Sequence, residues 1–419
     1  MWKYNVAMLL LWVFTLCIIL ELKVEAKASS HFEREIEAKL KLLNKPAVKS
    51  IRSENGDIID CINIYKQPAF DHPALKNHTI QRVPDFLLKS ESPSRENSLN
   101  ASSDVFQTWQ KSGSCPEGTV PIRRILKEDL LRVSSLDRFG QKPIEPFFNS
   151  TTTNLNFSSL DADASYFNNR SDAHLVTLGY NYIGATANIN VWNPKVERPE
   201  DFTTAQIWLK TGNGREFESI EAGWVVNPKL YGDTDTRLFA YWTKDSYKTT
   251  GCFDVTCQGF VQISSEMALG STLQPYSAPF NQQYEINVGI FMDNGGNWWL
   301  RVKDRIMVGY WPAELLGNLR HSATLVQWGG QVFSYAVKTD PPHTGTQMGS
   351  GDEANGRFGF ACYMTNVRIK DYSKSLKYPE YVHTYAAEPY CYNALNDVQY
   401  GKDPVLYFGG PGRHPPYCL

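Results

Sequence analysis

One carboxylate stands out from the charged residues of this chain because of its setting. Ser219-Ile220-Glu221-Ala222-Gly223-Trp224-Val225-Val226 reads as a strand. With period two, Ile220, Ala222, Trp224 and Val226 share one face, and Ser219, Glu221, Gly223 and Val225 the other. If the bulky face enters a core, Glu221 is displayed opposite it, beside a glycine that leaves room for an approaching group. Trp192, Trp208, Trp224, Trp242, Trp298, Trp299, Trp311 and Trp328 lie in the same region. A carboxyl among aromatic walls is desolvated, its pKa rises, and it becomes a candidate proton carrier. Leu325-Val326-Gln327-Trp328-Gly329-Gly330-Gln331-Val332-Phe333 repeats the pattern. Val326, Trp328 and Val332 share one face, and Gln327, Gly329 and Gln331 the other. The paired glycines predict a bulge or close backbone approach, and Gln331 is a polar group on the cleft side if both strands line one concave sheet.

The elements that must hold these groups read as β-structure. From His174 onward, short segments rich in Val, Ile, Tyr, Phe, Trp and Thr alternate with Gly, Pro, Asn and Asp. They predict an all-β antiparallel sandwich or barrel. Ahead of it, Phe32, Ile36, Leu40 and Leu43 recur at helical spacing until Asn44-Lys45-Pro46, and this amphipathic helix needs a surface to dock on. Strand-like runs surround Ile58-Ile59-Asp60-Cys61-Ile62, another begins near Cys115, and the Pro-rich stretch Gln67 to Pro73 reads as extended and able to lie in a substrate groove. Residues 140–172, rich in Asn, Ser, Thr and Asp, read as an exposed, protease-accessible linker.

The chain has 419 residues and a formal charge of −2, room for more than one domain and no argument for a nucleic-acid partner. Residues 1–26 read as a secretory signal: Lys3, the apolar run from Ala7 to Leu20, and a cleavage site at Val24-Glu25-Ala26. An extracellular location follows (cell wall or apoplast, or the vacuole), with no membrane anchor after cleavage. Of the eight cysteines, Cys17 leaves with the signal. Cys252 and Cys257 enclose a short turn, Cys391 and Cys418 bracket the C-terminal tail, and Cys61 and Cys115 lie together in the N-terminal part; disulfides are expected in these pairs, with Cys362 a buried free thiol. Asn-x-Ser/Thr triplets at Asn77, Asn100, Asn149, Asn156 and Asn169 are candidate glycan sites.

No Cys-x-x-Cys or His-x-x-x-His spacing occurs, so no metal and no cofactor are expected. The serine-hydrolase elbow, the zincin helix, the phosphate-binding loop, the dinucleotide fingerprint and the Asp-Thr-Gly of aspartic proteases are all missing. His343, in a turn-rich loop, reads as an ordinary surface residue.

Longer stretches carry a resemblance. Leu43 to Ile51, Gly56 to Cys61 and Gln67 to Pro73 resemble the activation peptide of the plant neprosin family. Val191-Trp192-Asn193-Pro194, Ser219 to Trp224, Leu230-Tyr231-Gly232-Asp233, Gly295 to Leu300, Val308 to Pro312 and Thr346 to Gly351 resemble its peptidase domain. The resemblance implies a β-sandwich of two sheets, preceded by a small α+β propeptide. Its domains would be a signal at 1–26, activation peptide at 27–140, glycosylated linker with the maturation site at 141–172, and peptidase at 173–419. It implies a secreted glutamic peptidase, made as a zymogen and cleaving on the carboxyl side of proline in acid. Its partners would be proline-containing peptide and its own propeptide. Glu221 matches the first catalytic glutamate. The second belongs in Trp-Gly-Gly-Glu-Val, which here is Trp328-Gly329-Gly330-Gln331-Val332. An amide cannot share a proton with Glu221, but its NH₂ can stabilise an oxyanion, as the fungal eqolisins do with a Glu/Gln dyad. Two readings stand: a Glu221/Gln331 peptidase, or an inactive descendant serving as an extracellular binding module for cell-wall carbohydrate or protein.

Overall fold

A 21-residue strand, Arg170–Asn190, organises the protein. Alternate residues in both of its halves are buried in one apolar cluster: Ala173 and Leu175, then Ala185, Ala187 and Ile189. Between them Gly179, Tyr180 and Asn181 are exposed, and Gly179 has φ +100°. The chain thus leaves one layer and enters the other without ending its strand. The computed structural model describes Trp12 and residues 31–87, 101–143, 169–213, 216–338 and 341–419. The leader apart from Trp12, the sites Asn100, Asn149 and Asn156, and most of the 141–172 stretch lie outside the described residues.

Counting strands of five residues or more, the N-terminal part supplies β1 (Ala47–Arg52), β2 (Ile58–Asn63) and β3 (Thr119–Arg123). They form an antiparallel sheet in the order β1-β2-β3. Helix α1 (31–43) precedes it and the short α2 (Lys127–Leu131) follows. The larger part begins with β4 (Arg170–Asn190), β5 (Phe202–Asn213), β6 (Glu216–Val226) and β7 (Arg237–Thr243). Then come β8 (Gln283–Met292), β9 (Trp298–Val302), β10 (Ile306–Trp311) and β11 (Ala323–Phe333). Last are β12 (Cys362–Asp371), β13 (Asn393–Asp397) and β14 (Val405–Gly409).

The main sheet runs β10-β9-β8-β4-β11-β5-β6-β7, with β12 also paired to β4 and β14. The two layers of the sandwich are therefore one curled antiparallel system, closed around a single core. Trp224, Trp298, Trp299, Trp311 and Trp328 are fully buried in that core. This is where most of the tryptophans go: they fill the interior, and of those named above Trp208 alone stays out of this cluster, opposite Glu221 in the ladder. Among the described residues no helix is long and apolar enough to cross a membrane.

Disulfides join Cys61 to Cys115, Cys252 to Cys257 and Cys391 to Cys418, and Cys362 is free and buried. A second cluster unites the two parts of the chain. Ile36, Leu43, Ile125, Leu130 and Phe139 from the N-terminal part pack with Phe202, Phe217, Phe239, Tyr241 and Phe253 of the larger part. The docking surface that α1 needed is thus the Glu221 side of the sheet.

Candidate active site

Strand register decides which side chains share a face, because directly opposed residues in a ladder point the same way. Across β11, β5, β6 and β7, one row reads Gln327, Trp208, Glu221 and Tyr241. The next reads Gly329, Gln206, Gly223 and Phe239, and the next Gln331, Thr204, Val225 and Arg237. Asp172 and His174 of β4 extend the rows of Gln331 and Gly329. Glu221 and Gln331 therefore lie on one face, with β5 between their strands.

They do not bond to one another. Gln331 Nε2 donates to Asp172 Oδ1 at 2.7 Å. Glu221, fully buried, accepts from four donors. Ser219 Oγ at 3.0 Å and Tyr247 OH at 2.5 Å hold Oε1. Gln206 Nε2 at 3.0 Å and Lys142 Nζ at 2.5 Å reach Oε2. Lys142 is also fully buried. Its ammonium lies 4.9 Å from the ring centres of both Tyr241 and Tyr247 and 5.9 Å from that of Phe253, an aromatic cage of the kind that attracts desolvated cations.

The chain reaches this position by a series of backbone ties. Gly140, at φ +76°, carries its carbonyl to Phe253 N at 2.7 Å, and a Cβ there would lie 1.9 Å from Thr256 Oγ1. Gln141 Nε2 donates to Thr249 O, Lys142 N to the Tyr241 hydroxyl oxygen, and Arg170 Nη2 to Pro143 O. Tyr247 is aimed at Glu221 from a loop in which both Ser246 and Tyr247 have positive φ, +60° and +65°. Such conformations cost on the order of 1–3 kcal/mol each. Here they are held by Ser246 N to Phe217 O, Phe217 N to Ser246 Oγ and Tyr247 N to Thr243 Oγ1.

Four expectations change. The stretch after residue 140 is no exposed linker at its described ends: Lys142 is sealed in the cleft, and Arg170 to Asp172 already belong to β4. Gln67 to Pro73, whose Pro-rich texture suits a groove, instead forms short 3-10 turns, and Gln67 exchanges hydrogen bonds with the backbone of Gln262. The glycines do not hold the face open. A Cβ on Gly223 would lie 2.0 Å from Ala205 O, one on Gly329 2.3 Å from Ala173 O, and one on Gly330 2.6 Å from Met348 Cγ; they permit tight strand approach in a strongly coiled sheet. Finally, burial does push the Glu221 carboxyl up, but the Lys142 charge, its hydrogen bond and that of Tyr247 outweigh it and hold the group below the usual glutamate value. Lys142 is drawn down to about 8, chiefly by burial, against the pull of Glu221. Burial and the neighbouring Glu221 push Tyr247 far up, so it remains a donor.

His343 is buried, with Nδ1 at 2.8 Å from Thr344 O and Nε2 at 3.4 Å from Glu388 Oε2. Asn77 is exposed and Asn169 half-buried. Lys142, Gln206 and Tyr247 are the residues that sequence reasoning missed. Only Gln206 left a signal, as a polar residue on the Glu221 face of an alternating strand.

A family model described as Neprosin matches residues 199–411, and one described as Neprosin activation peptide matches residues 50–168. Among solved structures, scytalido-glutamic peptidase bound to a peptide-based transition state analogue is similar at 9% identity, covering 57% of this chain and 97% of its own, with a TM-score of 0.32. SCP-B, a member of the eqolisin family of peptidases bound to the tripeptide Ala-Ile-His, matches at 8% identity over the same shares, with a TM-score of 0.30. Lys142 falls within the activation-peptide match and Glu221 within the other, so this chain belongs to the neprosin family of peptidases and carries that family's activation peptide ahead of the peptidase region.

Proposed function

We propose that this protein is the zymogen of a secreted glutamic peptidase that cleaves on the carboxyl side of proline in acid, with Glu221 as its general base. The observation that carries this reading is the Lys142–Glu221 pair: the activation peptide holds its buried ammonium on the fully buried carboxylate of the peptidase part. Activation then needs a chain cut within 141–172, outside the described part of that stretch, and withdrawal of Lys142. Acid favours withdrawal. Because Glu221 is held below its ordinary value in the closed form, the stability it contributes is present above the ordinary glutamate range and is lost as pH falls through the depressed value. Once the ammonium has left, burial is no longer offset by it, so the carboxyl rises toward the acid range in which a base for acid hydrolysis must work. Extracellular secretion and glycans at Asn77 and Asn169 belong to the same proposal.

The test is to secrete the full chain, incubate it at pH 3–5, and follow both its own N-terminus and the hydrolysis of a proline-containing peptide by mass spectrometry. A new N-terminus within 141–172, cleavage after proline, and loss of cleavage in Glu221→Gln support the reading. A cut chain that hydrolyses nothing overturns it and leaves a binding role for the same cleft.

A further inference from the structure

With Gln331 committed to Asp172, the amide beside the candidate base is a different one. Gln206 is fully buried on β5 and its Nε2 donates to Glu221 Oε2 at 3.0 Å, the same oxygen that Lys142 occupies. The amide orientation is fixed chemically, since an ionised carboxylate accepts only. This turns Gln206 Oε1 away from Glu221, and that oxygen is buried without a hydrogen-bond partner. A buried acceptor left unpaired is destabilising. Glu221 Oε1, by contrast, is tied by Ser219 and Tyr247. The two carboxylate oxygens therefore differ: Oε1 is anchored, whereas Oε2 is shared between Gln206 and a cation that leaves on activation.

Resting on the peptidase reading above, we propose that Gln206 is a further catalytic residue, the amide that holds the attacking water against Glu221 Oε2. Once Lys142 withdraws, its space opens to water, and a molecule seated between the two side chains donates one hydrogen to Glu221 Oε2 and the other to Gln206 Oε1, the acceptor that the ammonium leaves without a partner. Its oxygen attacks the peptide carbonyl carbon while Glu221 takes the first proton, and the carbonyl π pair moves to oxygen. As the tetrahedral intermediate collapses, the C–N bond breaks and Glu221 returns that proton to the departing nitrogen. One water is consumed, and one carboxyl and one amine form. Gln206 undergoes no covalent change. It fixes the direction of the water, an effect on the chemical step more than on substrate affinity.

The experiment compares acid-matured wild type, Gln206→Met, Gln206→Glu and Glu221→Gln on one proline-containing peptide between pH 2.5 and 6. Gln206→Met keeps the bulk and removes the acceptor; kcat is expected to fall at least 100-fold with KM within threefold. Gln206→Glu retains activity, but its acid limb moves, because Glu221 becomes half of a coupled carboxyl pair. Activity of Gln206→Met within threefold of wild type, with Glu221→Gln inactive, overturns this assignment alone. Full activity in Glu221→Gln, or none in wild type, overturns the peptidase reading and this with it. If Gln206→Met does not fold, the pH profile of Gln206→Glu decides, and an unchanged profile overturns the proposal.

Discussion

Two of the ionic contacts that tie the activation peptide to the peptidase part are built with opposite polarity. In the cleft the peptidase supplies the anion, Glu221, and the peptide the cation, Lys142. At the edge the peptide supplies the anion: Asp57 accepts from Arg237 Nη1 of β7 at 2.6 Å and from Arg123 Nε of β3 at 3.0 Å. Arg237 continues to Asp233, and Arg123 to Asp129 and the Tyr231 carbonyl. The edge contact is a network in which each charge has several partners, so it acts as a fastening and needs no chemistry of its own. The cleft contact is a single ammonium on a carboxylate that keeps three other hydrogen bonds without it. Removing Lys142 therefore exposes a prepared site and does not dismantle one. Both contacts respond to acid in the same sense. Burial raises Asp57, but Arg237 and Arg123 outweigh it and hold it low, as Lys142 does for Glu221.

The comparison can be broken from either side. Asp57→Ala takes away the carboxylate that two buried guanidiniums share, leaving Arg237 to Asp233 and Arg123 to Asp129. It is expected to cost about 3–5 kcal/mol, read as a lowered denaturant midpoint of the full chain with early exposure of the activation peptide to a protease. Lys142→Met removes one charge-assisted hydrogen bond from a carboxylate that keeps its others, so a smaller loss is expected, about 1.5–3 kcal/mol. Its telling readout is hydrolysis: the uncut Lys142→Met chain is expected to turn over peptide slowly, whereas uncut Asp57→Ala keeps Lys142 in place. A pH series on the cut chain sharpens the shared response. Gel filtration is expected to show the peptide bound at pH 7 and released in acid, as the pH falls through the depressed values of Asp57 and Glu221 and both are protonated. Association that is unchanged down to pH 2.5 would contradict the role given to both carboxylates.

The smallest effect isolates the peptidase part. Burial raises Asp254 to about 7, although Tyr231 OH donates to its Oδ2 at 2.7 Å. A raised carboxyl contributes stability below its unfolded value and loses it as pH climbs through 7. Asp254→Asn cannot ionise, so it is expected to melt about 2 °C higher than wild type at pH 8.5, with no gain at pH 4. This slope is opposite to that of Asp57 and Glu221, and calorimetry at the two pH values separates them.

Much of this architecture was legible in the chain. Helix α1, the alternating strands and the three cysteine pairs follow from local periodicity and short-range spacing, and the face of Glu221 follows from period two alone. The lysine opposite it did not, because Lys142 and Glu221 are 79 residues apart and Gly140-Gln141-Lys142-Pro143 has the composition of any polar turn. The direction of the Glu221 shift failed for the same reason: desolvation can be argued from neighbours in sequence, but a compensating charge from a distant segment cannot. Gln331 drew attention through its motif. Gln206 left only its place in the alternation of β5, since which amide meets a carboxylate depends on strand order and register, and neither is written in a single strand.

Arg170 holds the Pro143 carbonyl at 3.2 Å, across 27 residues of sequence. The two ends of the segment proposed for cutting are thus pinned to each other, and severing it moves neither. While the chain is whole, an ammonium that slips out of the cleft stays at an effective concentration in the millimolar range or above and rebinds. When the chain is cut at neutral pH, the ionic ties still keep the peptide in place. Only a cut followed by acid lets it diffuse into bulk volume, where dilution makes the release irreversible. On the proposed activation, the order of the two signals is then part of the control: acid alone would open the site reversibly, a cut alone would leave it closed, and the pair would act as a ratchet.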